Sequence, residues 1–215
     1  LLLCPLCHAQ KPALYARHKR AYHLCAECSL LFVSPDEYLD EEAEKKRYDL
    51  HTNSSGDPGY KNYLRKVSDP LCERLSKGSS GLDFGSGPGP TLSKILQEQG
   101  HEMRIYDYFY AKDEAVLKQK YDFITSTEVV EHLYDPHSVL DQLWGMLKAE
   151  GLLALLTQLY PARELFDEWY YKNDPTHVCF YSLPTMSWLA SKWDAQLESV
   201  GKDLFIFKKR PEHVH

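Results

Sequence analysis

The chain has 215 residues, 43% of them hydrophobic and 26% charged, with a net charge of −6. These proportions leave room for one α/β domain and a small appendage and exclude a fibre or a disordered chain; the longest apolar run, 151–156, is too short to cross a bilayer. Within residues 1–34, Lys11, Arg17, Lys19 and Arg20 stand against Glu27, a net of +3 that leaves −9 on the rest, so only this first segment has the sign that phosphate binding draws on.

In chain order, Leu1-Leu2-Leu3-Cys4 lacks the basic head and long apolar region of an export signal and reads as the start of a cytoplasmic protein. Cys4-x2-Cys7 and Cys25-x2-Cys28 follow, seventeen residues apart. Each pair offers two thiolates from one tight turn, and the spacing predicts a closed, structural four-thiolate zinc site in a zinc-ribbon-like module over 1–34. Disulfides are the rival, and the cytoplasmic profile argues against them. Cys72 and Cys179 have no close cysteine partner in sequence and are expected to be buried thiols.

Residues 35–78 read as a helical connector. The acidic run from Asp36 to Glu44 is expected to be a solvated face. Tyr60, Tyr63, Leu64, Val67, Leu71 and Leu75 share one helical face, with Pro70 breaking or kinking the helix. From 79 to 210 the pattern is strand, turn, helix. Leu82-Asp83-Phe84 is a short buried strand running into Gly85-Ser86-Gly87-Pro88-Gly89, after which Leu92, Ile95 and Leu96 mark a helix that stops at Gly100. A strand from Met103 to Tyr106 ends at Asp107, and another covers Tyr121 to Ser126. Asp135-Pro136 opens a helix with Val139, Leu140, Leu143, Met146 and Leu147 on its inner face, capped by Gly151. A continuous apolar strand from Gly151 to Leu159 suits a sheet covered on both faces. Two strands, 195–200 and 204–207, form a terminal hairpin.

A glycine-rich turn after a strand lets a ligand approach backbone that a Cβ would shield. The phosphate loop of nucleotide hydrolases needs a GK pair followed by Ser or Thr, which is absent, and the dinucleotide fingerprint needs Gly or Ala where Pro90 stands. What remains is the Asp-x-Gly-x-Gly-x-Gly form of Asp83 to Gly89.

With that form, the chain resembles the class I S-adenosylmethionine-dependent methyltransferase superfamily. The resemblance extends to Tyr121-Asp122-Phe123-Ile124-Thr125-Ser126-Thr127-Glu128-Val129-Val130-Glu131-His132-Leu133, which is similar to the branch that includes ubiquinone-biosynthesis O-methyltransferases. It covers roughly residues 60–210 and implies an open, mainly parallel Rossmann-like sheet ending in an antiparallel hairpin. The implied S-adenosylmethionine contacts are Asp83, Gly85, Ser86, Gly87, Gly89, Asp107, Tyr108, Thr127 and Glu128, with Asp107 holding the ribose hydroxyls. Only thirteen residues, 108–120, separate Asp107 from the next strand, too few for a helix and a full third strand. Adenine is then expected against Tyr108, Phe109 or Tyr110.

The chemistry expected is displacement at the sulfonium methyl, where positioning supplies most of the acceleration and an oxygen nucleophile needs a base. Candidate catalytic residues are Glu131, His132 and His177. Two readings stay open: Glu128, Glu131, His132 and His177 hold a second, divalent ion, as Glu-x-x-Glu-His runs do in similar O-methyltransferases, or Glu128 lines the cofactor pocket, Glu131 and His132 stabilise the loop through hydrogen bonds and His177 acts alone as a base. The acceptor is expected to be a small molecule, such as a sugar or a phenol-like ring, entering beside the aromatic segment 160–181 with Phe166, Trp169, Tyr170 and Tyr171. Similar cysteine modules precede some sugar C-methyltransferases. The alternatives are an RNA methyltransferase, touching RNA through Arg17, Lys19 and Arg20, and a non-catalytic zinc-containing scaffold. Nucleic acid is the less favoured partner, and no membrane association is expected.

Overall fold

The computed structural model describes residues 2–50 and 57–211. Leu1 and residues 51–56 of the connector lie outside the described residues. No described helix is long and apolar enough to cross a membrane.

Six strands make the main sheet: β4 (Ser80–Phe84), β5 (Glu102–Tyr106), β6 (Tyr121–Thr127), β7 (Leu147–Leu156), β9 (Gln196–Val200) and β10 (Leu204–Lys208), in the order β5-β4-β6-β7-β10-β9. β5, β4, β6 and β7 run parallel, and β10 lies antiparallel to both β7 and β9, which is the expected terminal hairpin. No strand pairs beyond β5 among the described residues, so the third strand is missing, as the short 108–120 segment implied. The Gly-rich turn therefore sits at the carboxyl end of β4, between β5 on one side and β6 on the other, where open α/β sheets bind ligands.

Helix α2 (Pro58–Cys72), capped by the Asp57 carboxylate on the Gly59 amide, buries Leu64, Val67 and Leu71. They meet α3 (Thr91–Glu98) and the Phe123, Leu152 and Leu156 side chains of the sheet. Each such side chain contributes about 1.5–3 kcal/mol on leaving water. Pro70 lies inside the last turn of α2, where its missing N–H removes one i→i−4 hydrogen bond without ending the helix.

Gly151 is not the helix cap expected from sequence. Helix α4 (Pro136–Gly145) ends earlier, Leu147 already pairs with Tyr121, and Gly151 lies inside β7. The register shifts between Tyr121 and Phe123, so residues 148–151 form a bulge. Lys148 reaches both Asp122 carboxylate oxygens from it, at 2.9 and 3.0 Å. Helix α5 (Leu183–Lys192), opened by a Ser182–Thr185 capping box, lies beyond the elements expected from sequence.

The N-terminal cysteines belong to a second sheet, β1 (Ala13–Arg17), β2 (Ala21–Leu24), β3 (Leu31–Val33) and β8 (Cys179–Phe180), antiparallel throughout. β8 comes from the far end of the chain. The packing is likewise shared: Cys4, Leu6, Leu30 and Phe32 belong to the same buried cluster as Leu140, Leu143, Tyr181 and Met186.

Candidate active site

A cleft of about 1170 Å³ opens at the carboxyl ends of β4, β5 and β6, with the Gly-rich turn on one wall and His132 and His177 on the other. Helix α1 (Glu41–Tyr48) and the start of α2 close it from above. Tyr48 sets its ring edge-on to His132 at 5.2 Å. Arg47 reaches across to the Asp174 carboxylate at 2.8 Å. Burial would raise the Asp174 carboxyl, but hydrogen bonds from Arg47 and Thr176 outweigh it and hold the group well below the usual carboxylate range.

The Gly85 and Ser86 amides donate to the Tyr106 carbonyl, and the Gly87 amide to Asp107 Oδ2 at 2.8 Å. Gly85 (φ +79°) and Gly87 (φ +64°) need the left-handed region that glycine tolerates. A Cβ at Gly85 would strike the Val129 side chain at 2.3 Å, whereas one at Gly87 would meet no protein atom within 4 Å. Gly87 thus bares its backbone to the cleft. Asp107 Oδ1 also accepts from the Phe109 and Tyr110 amides at 3.0 and 3.1 Å, so this acid organises both the glycine turn and the aromatic turn after β5. Ser86, Gly89, Tyr108, Thr127 and Glu128 line the same cleft. The Thr127 hydroxyl is buried and finds no protein partner.

Asp83 is placed elsewhere. It is 4% exposed, behind the turn, accepting from Thr125 at 2.9 Å and Ser93 at 3.2 Å, so it ties β4 to β6 and α3 and does not line the cleft. Burial raises its carboxyl to about 6.

On the opposite wall, Glu131, His132 and His177 bring ligating atoms within 4.8 Å of one another. Glu131 is fully buried and accepts from Thr157 at 3.1 Å and from the Tyr171 hydroxyl. Burial, with the Glu128 carboxylate nearby, raises it to about 8. His132 Nδ1 lies 3.2 Å from the Thr176 carbonyl and His177 Nδ1 2.8 Å from the Tyr171 carbonyl. A carbonyl only accepts, so each Nδ1 carries the proton and the lone pair of the neutral ring sits on Nε2. Glu128 stands outside this group. In the left-handed region at φ +54°, it turns its carboxylate to Tyr63 at 2.9 Å and Tyr171 at 3.4 Å. Tyr63 and Tyr171 thus line the cleft, whereas the sequence assigned them to helix packing and to an undivided aromatic segment.

That segment divides. Tyr170 and Tyr171 line the cleft, but Phe166 and Trp169 pack with Tyr22, Leu31 and Phe180 against the second sheet, away from it. Arg20 also departs from expectation: its guanidinium is turned onto backbone carbonyls of residues 172–177, leaving Arg17 and Lys19 as the exposed cations of that turn.

The four cysteines converge. Cys4 and Cys28 sulfurs lie 3.5 Å apart, Cys7 and Cys25 3.4 Å, and all four are free thiols within 4.8 Å of one another. Both turns share one backbone pattern, in which the His8 and Ser29 amides donate to the Cys4 and Cys25 carbonyls and His8 and Ser29 have positive φ. A tetrahedron with metal–sulfur bonds of about 2.3 Å has edges of about 3.8 Å, so the donor set suits zinc.

The sheet order, the glycine turn, the acid at the end of β5 and the cleft between them define the class I S-adenosylmethionine-dependent methyltransferase fold. The methyltransferase domain family matches residues 59–200, and the chain belongs to that family. Ubiquinone biosynthesis O-methyltransferases of Histophilus somni and Actinobacillus pleuropneumoniae are 29% and 28% identical to it over 94 residues. The match takes in 40% of this chain and 40% of each of those proteins, so the chain spans less than half the length of these curated relatives. Among solved structures, magnesium protoporphyrin IX methyltransferase from Synechocystis PCC 6803 superimposes with a TM-score of 0.54 at 12% identity, covering 78% of this chain and 94% of that one. The Burkholderia thailandensis 1,6-didemethyltoxoflavin-N1-methyltransferase gives 0.52 at 16% identity, covering 93% and 99%. At these identities the likeness is one of fold.

Proposed function

We propose that the protein transfers a methyl group from S-adenosylmethionine to a hydroxyl of a small acceptor, a phenol-like ring or a sugar. The observation that carries this reading is the single cleft that joins the bared Gly87 backbone and Asp107 on one wall to His132 and His177 on the other. S-adenosylmethionine supplies an electrophilic methyl carbon. Gly85, Ser86, Gly87 and Gly89 would receive its amino-acid part, Asp107 a ribose hydroxyl, Tyr108 the adenine face, and the unpartnered Thr127 hydroxyl a polar edge of the ligand. Asp83 supports the turn from behind. His177 or His132, presenting Nε2, would take the acceptor proton, and α1 excludes water from above. The relatives named for ubiquinone biosynthesis support a small-molecule acceptor. We assign the four thiolates a structural zinc ion, since a closed four-sulfur site leaves no open position for chemistry.

A divalent ion on Glu131, His132 and His177 is the second reading. The carbonyl behind each Nδ1 favours it, because metal-bound imidazoles are commonly oriented in this way. Such an ion would lower the pKa of an acceptor hydroxyl. The deciding experiment is a screen of phenolic, hydroxyquinone and sugar acceptors with methyl-labelled S-adenosylmethionine, run with manganese and with EDTA. Stimulation by manganese that Glu131→Gln abolishes supports the ion. Full activity in EDTA, lost in His132→Ala or His177→Ala, supports acid–base work alone. Failure of S-adenosylhomocysteine to raise the melting temperature would favour the scaffold reading.

A further inference from the structure

We propose that Arg20, carried by the cysteine-bearing sheet, is a positioning residue for the imidazole wall of the cleft. This rests on reading His132 and His177 as site residues. Arg20 lies on the turn between β1 and β2, and its guanidinium enters the loop 172–177. Nη1 donates to the Pro175 and His177 carbonyls at 3.0 and 2.9 Å, and Nη2 to those of Lys172 and Asp174 at 2.7 and 2.9 Å. Four terminal N–H groups thus meet four carbonyls drawn from six residues. A loop with no strand ladder must satisfy most of its carbonyls from outside, and here one planar, permanently charged fork reaches four of them, joined by the Tyr22 hydroxyl on Lys172 and the His177 amide on Asp174.

The carbonyls left over are the informative ones. Tyr171, immediately before the four that Arg20 holds, and Thr176, between two of them, are the acceptors behind His177 Nδ1 and His132 Nδ1. The same loop carries the Asp174 carboxylate that anchors Arg47 of the covering helix. Arg20 therefore fixes the curvature that presents two carbonyls to two imidazoles, and with them the direction in which each Nε2 points. Cys7 and Cys25 bracket Arg20 in sequence, so the metal-organised sheet is what aims the fork. Lysine can replace it only in part, because an ammonium is a point charge with three donors and not a fork with five.

The test compares Arg20→Gln, Arg20→Lys and Arg20→Ala with the parent chain, all zinc-loaded, by nitrogen-detected NMR of the histidine rings, zinc content and calorimetry with S-adenosylhomocysteine. In the glutamine variant the single Nδ1–H tautomer of His132 and His177 should give way to a mixture, while zinc content and S-adenosylhomocysteine affinity stay within twofold. With an acceptor in hand, kcat should fall at least tenfold at unchanged KM for S-adenosylmethionine. The lysine variant should recover only part of it, and millimolar guanidinium should restore the alanine variant. Unchanged tautomers in the glutamine variant would overturn the proposal. So would loss of zinc or of S-adenosylhomocysteine affinity in step with the tautomers, since that marks general collapse. If the parent chain binds no S-adenosylhomocysteine, the methyl-transfer reading fails by itself, and the tautomers still decide the role of Arg20.

Discussion

Replacing Asp107 tests the cofactor site most directly. An ionised carboxylate offers about four lone-pair directions. Three are occupied by the Gly87, Phe109 and Tyr110 amides, leaving room for one ribose hydroxyl. Losing that one charge-assisted hydrogen bond costs about 1.5–3 kcal/mol, or a 10- to 100-fold weaker complex at about 1.4 kcal/mol per decade. Asp107→Ala also releases the two turns that frame the cleft, so its loss should fall at the upper end. Asp107→Asn can keep one oxygen toward the Phe109 and Tyr110 amides, but its NH2 then faces the Gly87 N–H, and affinity should still drop at least tenfold. The assay is calorimetry with S-adenosylhomocysteine and with its 2′-deoxy and 3′-deoxy analogues. In the parent chain one of the two deletions should weaken binding, and in Asp107→Ala that same deletion should cost nothing further. Affinity unchanged in both variants, or an undiminished hydroxyl penalty in Asp107→Ala, would refute the assignment.

The purified protein should hold about one zinc per chain by metal analysis, and Cys25→Ser should lower the melting temperature of the whole chain in one calorimetric transition, because β3 pairs with β8 and Cys4 shares a buried cluster with Met186; a separate low-temperature transition would contradict this. Gly85→Ala should destabilise the chain and abolish S-adenosylhomocysteine binding, since its Cβ would meet Val129 at 2.3 Å with φ at +79°, and Val129→Ala should restore part of the stability in denaturant titration. An acid whose folded pKa lies above its unfolded value binds its proton more tightly when folded. Asp83 should therefore make stability fall as pH rises from about 3.8 to about 6 and stay lower above that. Asp83→Asn should remove that slope, and identical pH dependence in the two chains would show that burial does not perturb this carboxyl.

What the sequence disclosed, it disclosed through local chemistry. Gly85 and Gly87 announce backbone that must bend and be approached, Asp107 follows at the end of the next strand, and the two Cys-x2-Cys pairs announce the four sulfurs that converge; each signal is carried by a few residues. The missing third strand was legible as a length, because 108–120 cannot hold a helix and a strand. Arg20 was not legible. Nothing in Arg17-His18-Lys19-Arg20 distinguishes the cation that turns inward onto carbonyls about 150 residues away from those that stay in solvent. The division of the aromatic segment was hidden for the same reason: Trp169 and Tyr170 are neighbours, and only the placement of the second sheet decides that one is packed and the other borders the cleft. The helix boundary expected at Gly151 gave way to a strand bulge, and α4 ends at Gly145 instead, because cross-strand pairing of Leu147 with Tyr121 overrode a glycine that looks like a cap.

Among the described residues the shortened sheet leaves β5 as a border strand, with the 116–118 turn packed near it. A border strand offers a row of backbone donors and acceptors to any other chain that can align with it. Its outward side chains here are Glu102 and Arg104, both exposed. A second copy arriving antiparallel and centred on Met103 would set Glu102 opposite Arg104 and be welcomed, whereas one centred on Glu102 or Arg104 would set like charges face to face. The charges on this margin thus act as a register filter against disordered stacking of chains, and neutralising both would be expected to appear first as self-association at high protein concentration.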